Sequence, residues 1–335
     1  MRLRTVSPDD IGWARRRSGR GFVYLDETGA VIGPDDVGRI KALVVPPAWT
    51  DVWISPYPNG HIQAVGTDAK GRRQYLYHDQ WRVKRDLAKH ERVLAMARRL
   101  PQARRQVTEA LHAEGMPLDR ALATAFRLLD LGYFRIGSDT YATENGSYGL
   151  TTLERRHVTR VGRRLEFEFE AKSGVVAHIE IVDPVVLASV ETMRRRRDRD
   201  EVLLAYRQRR RWSRLAAADV NDYLKDLLGG EASAKDFRTW HGTVRAAVAL
   251  ARQSADSERA RKRAVAAAMR EVAEHLGNTP TVARGSYVDA RVIDLFGAGR
   301  TIAAAVDRAD TLHPNDPRRQ QTLERAVLKL LDGTT

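Results

Sequence analysis

Hydrophobic and polar positions change their spacing near residue 80. Before that point, short apolar runs separated by Gly, Pro, Asp and Asn predict strands at 22–25, 31–32, 52–54, 62–65 and 74–77. From Asp79 onward, Trp81 and Leu87 begin a helical spacing among Lys and Arg residues. We therefore predict an α+β fold, with a β-rich N-terminal domain over residues 1–85 and a larger, mainly α-helical domain over residues 86–335.

One small strand pair interrupts the helical domain. Leu165, Phe167 and Phe169 alternate with glutamates, which predicts a strand with one buried face. A second strand follows at 175–182, so the two form a β-hairpin with Lys172 at its turn. Helical spacing marks the remaining segments, at 104–114, 118–133, 184–196, 217–228, 234–252, 257–276 and 317–332.

Charge and composition narrow the class of protein. The 335 residues include 57 Lys and Arg against 43 Asp and Glu, a net charge of +14 that favours an anionic partner. The absence of Cys excludes a disulfide-stapled secreted protein and thiolate metal sites. No apolar run reaches the roughly 18–20 residues of a membrane span, and the Arg-rich start does not resemble a signal peptide. We therefore expect a cytoplasmic protein with no membrane partner.

Several familiar motifs are absent or incomplete. The segment GTDAKGRR at 66–73 has the glycines of a phosphate-binding loop, but Arg72 and Arg73 replace the required Lys and Ser/Thr. The nine His show no metalloprotease spacing, so we predict no metal and no cofactor. The arginine runs at 194–197 and 209–211 are interpreted as solvated helix faces, with a DNA-clamping face as the alternative.

Three segments place candidate chemistry beside apolar helices. Arg135 follows the apolar run 128–134, Arg238 lies between Phe237 and Trp240, and Tyr287 follows a Gly- and Pro-interrupted stretch. An arginine partly buried beside aromatic residues needs an anion to offset its desolvation. That anion is either an internal carboxylate or a phosphate. Taken singly, each arginine fits the internal ion pair better, because structural ion pairs are commoner than active sites.

These residues together resemble a known family. Arg135 in FRIGS, Lys172 in AKSGV, Arg238 in KDFRTWHGT and Tyr287 in RGSYV follow the order and context of the type IB DNA topoisomerases. The chain is most similar to the compact, poxvirus-like bacterial form. VPPAWTDVWI and AVGTDAKGRRQYLYH resemble its small β domain, and ENGSYGLTTL resembles its linking motif. The resemblance spans about residues 44–292 and implies a catalytic domain of the tyrosine recombinase and topoisomerase IB type.

Site residues follow from this resemblance. It implies that Tyr287 is the nucleophile and that Arg135, Lys172 and Arg238 are the catalytic cations. Asn278 stands where viral and eukaryotic members carry a His. An Asn amide can donate a hydrogen bond to phosphate but cannot titrate. The β module is expected to act as a DNA clamp, and the implied DNA contacts are Lys70, Arg72, Arg73, Gln74, Tyr75, Tyr77 and Tyr141.

The implied activity is relaxation of supercoiled double-stranded DNA. One strand is cut through a 3′-phosphotyrosyl intermediate, the duplex rotates and the strand is resealed, without ATP or metal. We expect a monomer associated with the nucleoid.

Two other functions fit part of the pattern. A tyrosine site-specific recombinase uses a similar set of residues, but usually carries a helical domain in place of the β module. A non-enzymatic, basic architectural protein would use the arginines only to neutralise phosphate and would be indifferent to Tyr287→Phe.

Overall fold

A computed structural model describes residues 1–172, 174–313 and 316–333, without the side chains of Tyr141 and Asn145. Contacts between residues divide the chain into two compact units, Met1–Lys89 and His90–Thr335. No helix in the described part of the chain is both long enough and apolar enough to cross a membrane.

The first unit is built on an antiparallel sheet. Its elements are β1 (Trp13–Ser18), β2 (Gly21–Leu25), α1 (Pro34–Ala42), β3 (Thr50–Ile54), β4 (Ile62–Thr67) and β5 (Arg73–Tyr77). The five strands pair in the order β2-β1-β3-β4-β5. Ile40, Ile54 and Ala64 are almost fully buried in its core. The predicted β-rich N-terminal region is confirmed.

Strand β1 and helix α1 were not predicted, and residues 31–32 form only a single bridge, between Leu25 and Val31. The strand pattern of β1 is hidden because Arg15 takes an inward position. Its guanidinium lies over the Phe22 ring, with 4.2 Å from the central carbon to the ring centroid. It also donates to the backbone carbonyls of Val45, Pro46 and Trp49. These contacts are distant in sequence, so local periodicity cannot reveal them.

The second unit is mainly helical. The division between the units falls within α2 (Asp79–Leu111). After it come α3 (Leu118–Gly132), α4 (Asp139–Asn145), β6 (Val158–Val161), β7 (Arg164–Ala171), β8 (Val175–Ile181), α5 (Pro184–Arg194), β9 (Ala205–Gln208), β10 (Arg211–Arg214), α6 (Ala217–Leu228), α7 (Ala234–Ala251), α8 (Glu258–Leu276), α9 (Pro280–Ser286), α10 (Ala290–Gly297), α11 (Ala303–Asp310) and α12 (Pro317–Asp332). The strands form the sheet β6-β7-β8 and the hairpin β9-β10. The predicted mainly helical domain, with its strand pair at Lys172, is confirmed.

Three details differ from the sequence prediction. The predicted helix 104–114 is the end of α2, which runs through Pro101, and the buried Leu100 and Ala103 show that this stretch packs in the core. Residues 209–211 lie on the β9-β10 hairpin rather than on a helix face. Arg196 is buried, not solvated, because its guanidinium donates to the backbone carbonyls of Met193 and Leu203.

Helix α7 runs through the core of the second unit. Ser233 begins it, and Asp236 in its first turn accepts hydrogen bonds from the Ser233 backbone N–H and hydroxyl, each at 2.9 Å. Such a capping arrangement satisfies donors that a helix start leaves open. Phe237 and Trp240 are fully buried, and Phe237 meets Phe126 of α3 edge to face, with ring centroids 5.3 Å apart. The helix therefore holds the intervening Arg238 in a rigid frame.

Candidate active site

Arg238 is a buried arginine without a carboxylate partner among the described residues. Its side chain projects from α7, and the residue is only 5% exposed. Two guanidinium nitrogens donate to the backbone carbonyls of Tyr133 and Leu276, each at 2.6 Å, while Nε has no hydrogen-bond partner within the described structure. Burial and the charge of Arg135 lower the pKa of Arg238. A buried guanidinium that is bonded to neutral groups and has no carboxylate beside it would gain strongly from an added anion.

Arg135 lies in the loop after α3, and its side chain is held by amide groups. One nitrogen donates to Asn278 Oδ1 at 2.9 Å and to the Gly277 carbonyl at 3.2 Å. It forms no ion pair with any described residue. The internal carboxylate that the sequence left open as a partner for each arginine is therefore absent from the described surroundings of both.

Two glycines hold the Arg135 loop in place. Gly137 has φ +97°, a conformation that favours Gly, and a Cβ on Gly149 would lie 2.5 Å from the Gly137 nitrogen. The two backbones can cross this closely only without side chains. The loop is also fixed by the Leu150 N–H, which donates to the Arg135 carbonyl at 2.7 Å. The motifs around Arg135 and Gly149 thus form one structural unit.

The segment 276–278 is shared by both arginines. Helix α8 ends at Gly277, whose φ of +59° turns the chain and exposes backbone carbonyls. The Asn278 amide accepts from Arg135 through Oδ1 and donates to the Leu276 carbonyl at 3.1 Å through Nδ2. Asn278 therefore orients Arg135, a contact that was not anticipated from the resemblance.

Tyr287 follows α9 and is half-buried beneath Arg238. The central guanidinium carbon of Arg238 lies 5.0 Å from the centroid of the Tyr287 ring. The Tyr287 backbone rests on α7, where a Cβ on Gly242 would come within 2.7 Å of its carbonyl oxygen. Because Gly242 follows Arg238 by four residues, both lie on the same face of α7. One helix face therefore positions the cation and the phenol.

Electrostatics separate Tyr287 from the other tyrosine at the site. Desolvation raises the pKa of the Tyr287 phenol, but the charge and hydrogen bond of Arg238 and the charges of Arg135 and Lys235 lower it below its ordinary value. At Tyr133, burial and the charge of Asp130 instead raise the pKa to about 12. Of the two phenols, Tyr287 is the one prepared to react as an anion.

Lys235 was missed by the sequence reasoning. It is an exposed residue in the first turn of α7, and its charge helps to lower the Tyr287 pKa. The available signal was its position three residues before Arg238, because residues spaced by three share a helix face.

Lys172 is not joined to this cluster by any described hydrogen bond or ion pair. It is exposed in the turn between β7 and β8, beside Gly174, which has φ +72°. The structure thus brings together Arg135, Arg238, Asn278 and Tyr287, and leaves Lys172 on a separate hairpin turn.

The predicted DNA contacts of the first unit lie on and before β5. Asp68 accepts side-chain hydrogen bonds from Arg72 and Gln74, each at 2.9 Å, while Lys70 and Arg73 are exposed. The Tyr75 and Tyr77 rings stack with centroids 6.0 Å apart. Tyr75 is 39% exposed, whereas Tyr77 also packs against the core. The side chain of Tyr141 lies outside the described residues.

The fold and the site together define a class of protein. A β-rich unit followed by a helical unit that presents a phenol beneath two arginines fits the enzymes that join a nucleic-acid phosphate to a tyrosine. Residues 78–296 match the family profile of the eukaryotic DNA topoisomerase I catalytic core, and residues 21–68 match that of the bacterial DNA topoisomerase IB N-terminal domain. The chain belongs to the type IB DNA topoisomerase family, an isomerase class that acts on DNA.

Curated relatives agree with this assignment. DNA topoisomerase 1B of Acanthamoeba polyphaga mimivirus is 27% identical over 293 residues, covering 85% of this chain and 87% of the relative. DNA topoisomerase 1 of rabbit fibroma virus is 25% identical over 149 residues, 42% of this chain and 46% of the relative. DNA topoisomerase 1 of Schizosaccharomyces pombe is 28% identical over 160 residues, 47% of this chain and 19% of the relative. The predicted enzyme class is confirmed, and the recombinase and architectural alternatives are not supported.

Proposed function

We propose that Tyr287 is the nucleophile with which this enzyme relaxes supercoiled duplex DNA. The observation that carries the proposal is the half-buried phenol of Tyr287 beneath Arg238, next to two arginines that lack a carboxylate partner in the described structure. A DNA phosphodiester would supply the missing anion. The lowered pKa of Tyr287 supports its role as the attacking group.

The proposed reaction is a transesterification at phosphorus. The Tyr287 phenolate oxygen attacks, a bond forms between it and phosphorus, and the bond to the 5′ oxygen of the next nucleotide breaks. Charge accumulates on the non-bridging oxygens in the transition state, and Arg135 and Arg238 donate to them bidentately. Donors preorganised in this way typically lower a barrier by about 3 kcal/mol each.

The leaving 5′ oxygen needs a proton, because an alkoxide is a poor leaving group. We assign this proton to Lys172, whose ammonium lies on an exposed hairpin turn and is free of described partners. Asn278 keeps Arg135 in position and has one amide hydrogen left for a phosphate oxygen.

The covalent intermediate accounts for relaxation without an energy source. A 3′-phosphotyrosyl ester conserves the energy of the broken bond, so the free 5′ hydroxyl can attack it and reseal the strand. Between the two steps, the cut duplex rotates about the intact strand and releases torsion. ATP is unnecessary for this exchange of one ester for another, and the arginines supply the positive charge that a metal would otherwise provide.

The roles proposed for the first unit and for Tyr141 follow from the family resemblance. The predicted domain of residues 1–85 acts as the DNA clamp, where Lys70, Arg72 and Arg73 contact phosphates and Gln74, Tyr75 and Tyr77 reach a groove. Tyr141 is proposed as a further phosphate ligand. One nucleophile per chain suffices for the reaction, so the enzyme acts as a monomer, in the cytoplasm at the nucleoid.

Plasmid relaxation tests this proposal. Negatively supercoiled plasmid is incubated with excess EDTA and no ATP, using the wild-type enzyme and Tyr287→Phe. We expect relaxation by the wild type alone. Equal relaxation by both proteins would mean that another residue is the nucleophile, and relaxation by neither would contradict the metal- and ATP-independent mechanism.

A further inference from the structure

The hairpin β9-β10 is a rigid projection from the second unit. Its base is anchored in the core by the buried Ala205 and by Tyr206 and Trp212, which pack against the core. The Leu215 N–H donates to the Leu204 carbonyl at 3.0 Å just beyond the paired strands. A side chain near its tip is therefore held at a defined place rather than on a flexible loop.

The tip of this hairpin concentrates positive charge without counterions. Four exposed arginines, none ion-paired with a described residue, lie within five positions: Arg207, Arg209, Arg210 and Arg211. Several arginines elsewhere in the chain have a carboxylate close by in sequence. Arg194 and Arg195 pair with Glu191, and Arg318 pairs with Asp316. The arginines of the hairpin tip, in contrast, have no carboxylate partner among the described residues and can bind an external anion.

An arginine occupies a strained backbone position at the tip. The two-residue turn begins at Arg209, whose φ is +56°. Turns of this kind normally place Gly, Asn or Asp at a position of positive φ, because a larger side chain there costs on the order of 1 kcal/mol. Arg at this position adds charge to the tip at a local energetic cost, which points to a binding role.

Helix α3 separates the base of the hairpin from the catalytic arginines. The Arg207 N–H donates to the Met116 carbonyl at 2.6 Å, just before α3 begins. The opposite end of α3 leads into Tyr133, whose carbonyl binds Arg238. The 15 residues of α3 span about 22 Å at 1.5 Å per residue.

We propose that the β9-β10 hairpin binds backbone phosphates of the duplex on one flank of the cleaved phosphate. This inference rests on the proposed function, because it takes the Arg238 site as the place of cleavage. Arginine forks match phosphate oxygens, and a cluster of exposed arginines contributes affinity without reading sequence. The hairpin thereby extends the DNA footprint of the enzyme.

Salt-dependent binding tests the hairpin. The tip variant combines Arg207→Ser, Arg209→Asn, Arg210→Ser and Arg211→Ser, since Asn tolerates positive φ. A control variant removes four exposed arginines that lie on helices α8, α11 and α12, with Arg259, Arg263, Arg308 and Arg325 each changed to Ser. Both carry Tyr287→Phe, so that only non-covalent binding is measured, on a 40-base-pair duplex across a range of KCl concentrations.

Removing one arginine–phosphate interaction should reduce the slope of log K against log [KCl] by about 0.9. We expect the slope of the tip variant to fall by about 2 to 3.5, its affinity at 150 mM KCl to fall roughly tenfold, and its nuclease protection to shorten on one flank. The control should keep the slope of the Tyr287→Phe parent. An unchanged slope in the tip variant, or an equal reduction in the control, would overturn the proposal. Failure of Tyr287 as nucleophile is seen separately, as a covalent complex with DNA that still forms in the Tyr287→Phe parent.

Discussion

At the scale of single residues, the site prepares one phenol for ionisation. Arg238, Arg135 and Lys235 together outweigh the desolvation of Tyr287 and lower its pKa. In the proposed mechanism only the phenolate attacks, so the cleavage rate should rise about tenfold per pH unit until the pH reaches the pKa of Tyr287, and should then become constant. Because this pKa is lowered, the plateau should begin below the ordinary tyrosine value of ~10.

The contribution of Lys235 can be isolated because it is exposed and lies outside the set of residues proposed to hold the phosphate. Lys235→Ala removes a positive charge that favours the phenolate, so the rising limb should move to higher pH. Single-turnover cleavage rates between pH 6 and 10 measure the shift, with Lys225→Ala on α6 as the exposed control. Identical profiles for Lys235→Ala and the wild type would contradict this electrostatic account.

Asn278 gives a second prediction at this scale. Asn278→Ala removes the amide that accepts from Arg135, and the loss of a hydrogen bond to a charged group is worth about 1.5–3 kcal/mol. We expect cleavage to slow by roughly 10- to 100-fold while DNA affinity is retained. Asn278→Asp should be slower still, because its carboxylate would hold Arg135 but repel the phosphate. A cleavage rate for Asn278→Ala equal to that of the wild type would refute the positioning role.

The resemblance named five candidate catalytic residues, and the structure brings four of them together. The carbonyl partners of Arg238 could not be predicted, since Tyr133 and Leu276 lie far from it in sequence. The same holds for the pairing of Asn278 with Arg135 across 143 positions. Motifs name candidate residues, whereas the groups that orient these residues are set by tertiary contacts.

At the scale of elements, α7 connects the two halves of the site through Gly242. A Cβ on this residue would lie 2.7 Å from the Tyr287 carbonyl, so Gly242→Ala must displace the tyrosine segment. A misplacement of about 1 Å can cost on the order of 100-fold in rate. Single-turnover cleavage should fall by that amount. Gly297→Ala in α10, where a Cβ would meet open space, is the control and should cleave at the wild-type rate.

Helix α12 lies outside the matched catalytic core and still reaches a buried ion cluster. Arg104 of α2 donates to Asp130 of α3 at 2.8 Å and to Glu324 of α12 at 2.6 Å, and all three side chains are largely buried. Removing Glu324 leaves Arg104 paired with Asp130 but takes away two hydrogen bonds to a largely buried guanidinium, and a hydrogen bond to a charged group is worth about 1.5–3 kcal/mol. Glu324→Ala should lower the free energy of unfolding by about 3 kcal/mol, as measured by chemical denaturation. The exposed Glu274→Ala should change it by less than about 0.5 kcal/mol. Similar values for both would show that α12 is not anchored by this cluster.

The spacing of apolar residues did not predict several elements. Strand β1 contains three consecutive arginines and so lacks the alternation of a strand. The short strands β9 and β10 likewise read as an arginine-rich polar stretch. Helix α2 continues through Pro101, although a proline inside a helix costs about 3 kcal/mol, because burial around Leu100 and Ala103 offsets this cost. In each case, packing against distant residues outweighs the local signal.

At the scale of the whole molecule, the division into a β-rich and a helical region was predictable, since period-2 and helical spacing differ strongly on either side of residue 80. The net charge of +14 indicated an anionic partner without specifying which surface binds it. The family assignment explains this charge, because the substrate is DNA.

The central claim is that Tyr287 forms the covalent link to DNA. The most direct measurement is to trap the complex with duplex DNA, digest both components and identify the DNA-linked peptide by mass spectrometry. Trypsin should release residues 285–291, since Arg284 and Arg291 flank a segment in which Tyr287 is the single tyrosine. We predict a nucleotide 3′-phosphate on Tyr287 in this peptide. A 5′ linkage, or a modified residue elsewhere in the chain, would contradict this claim.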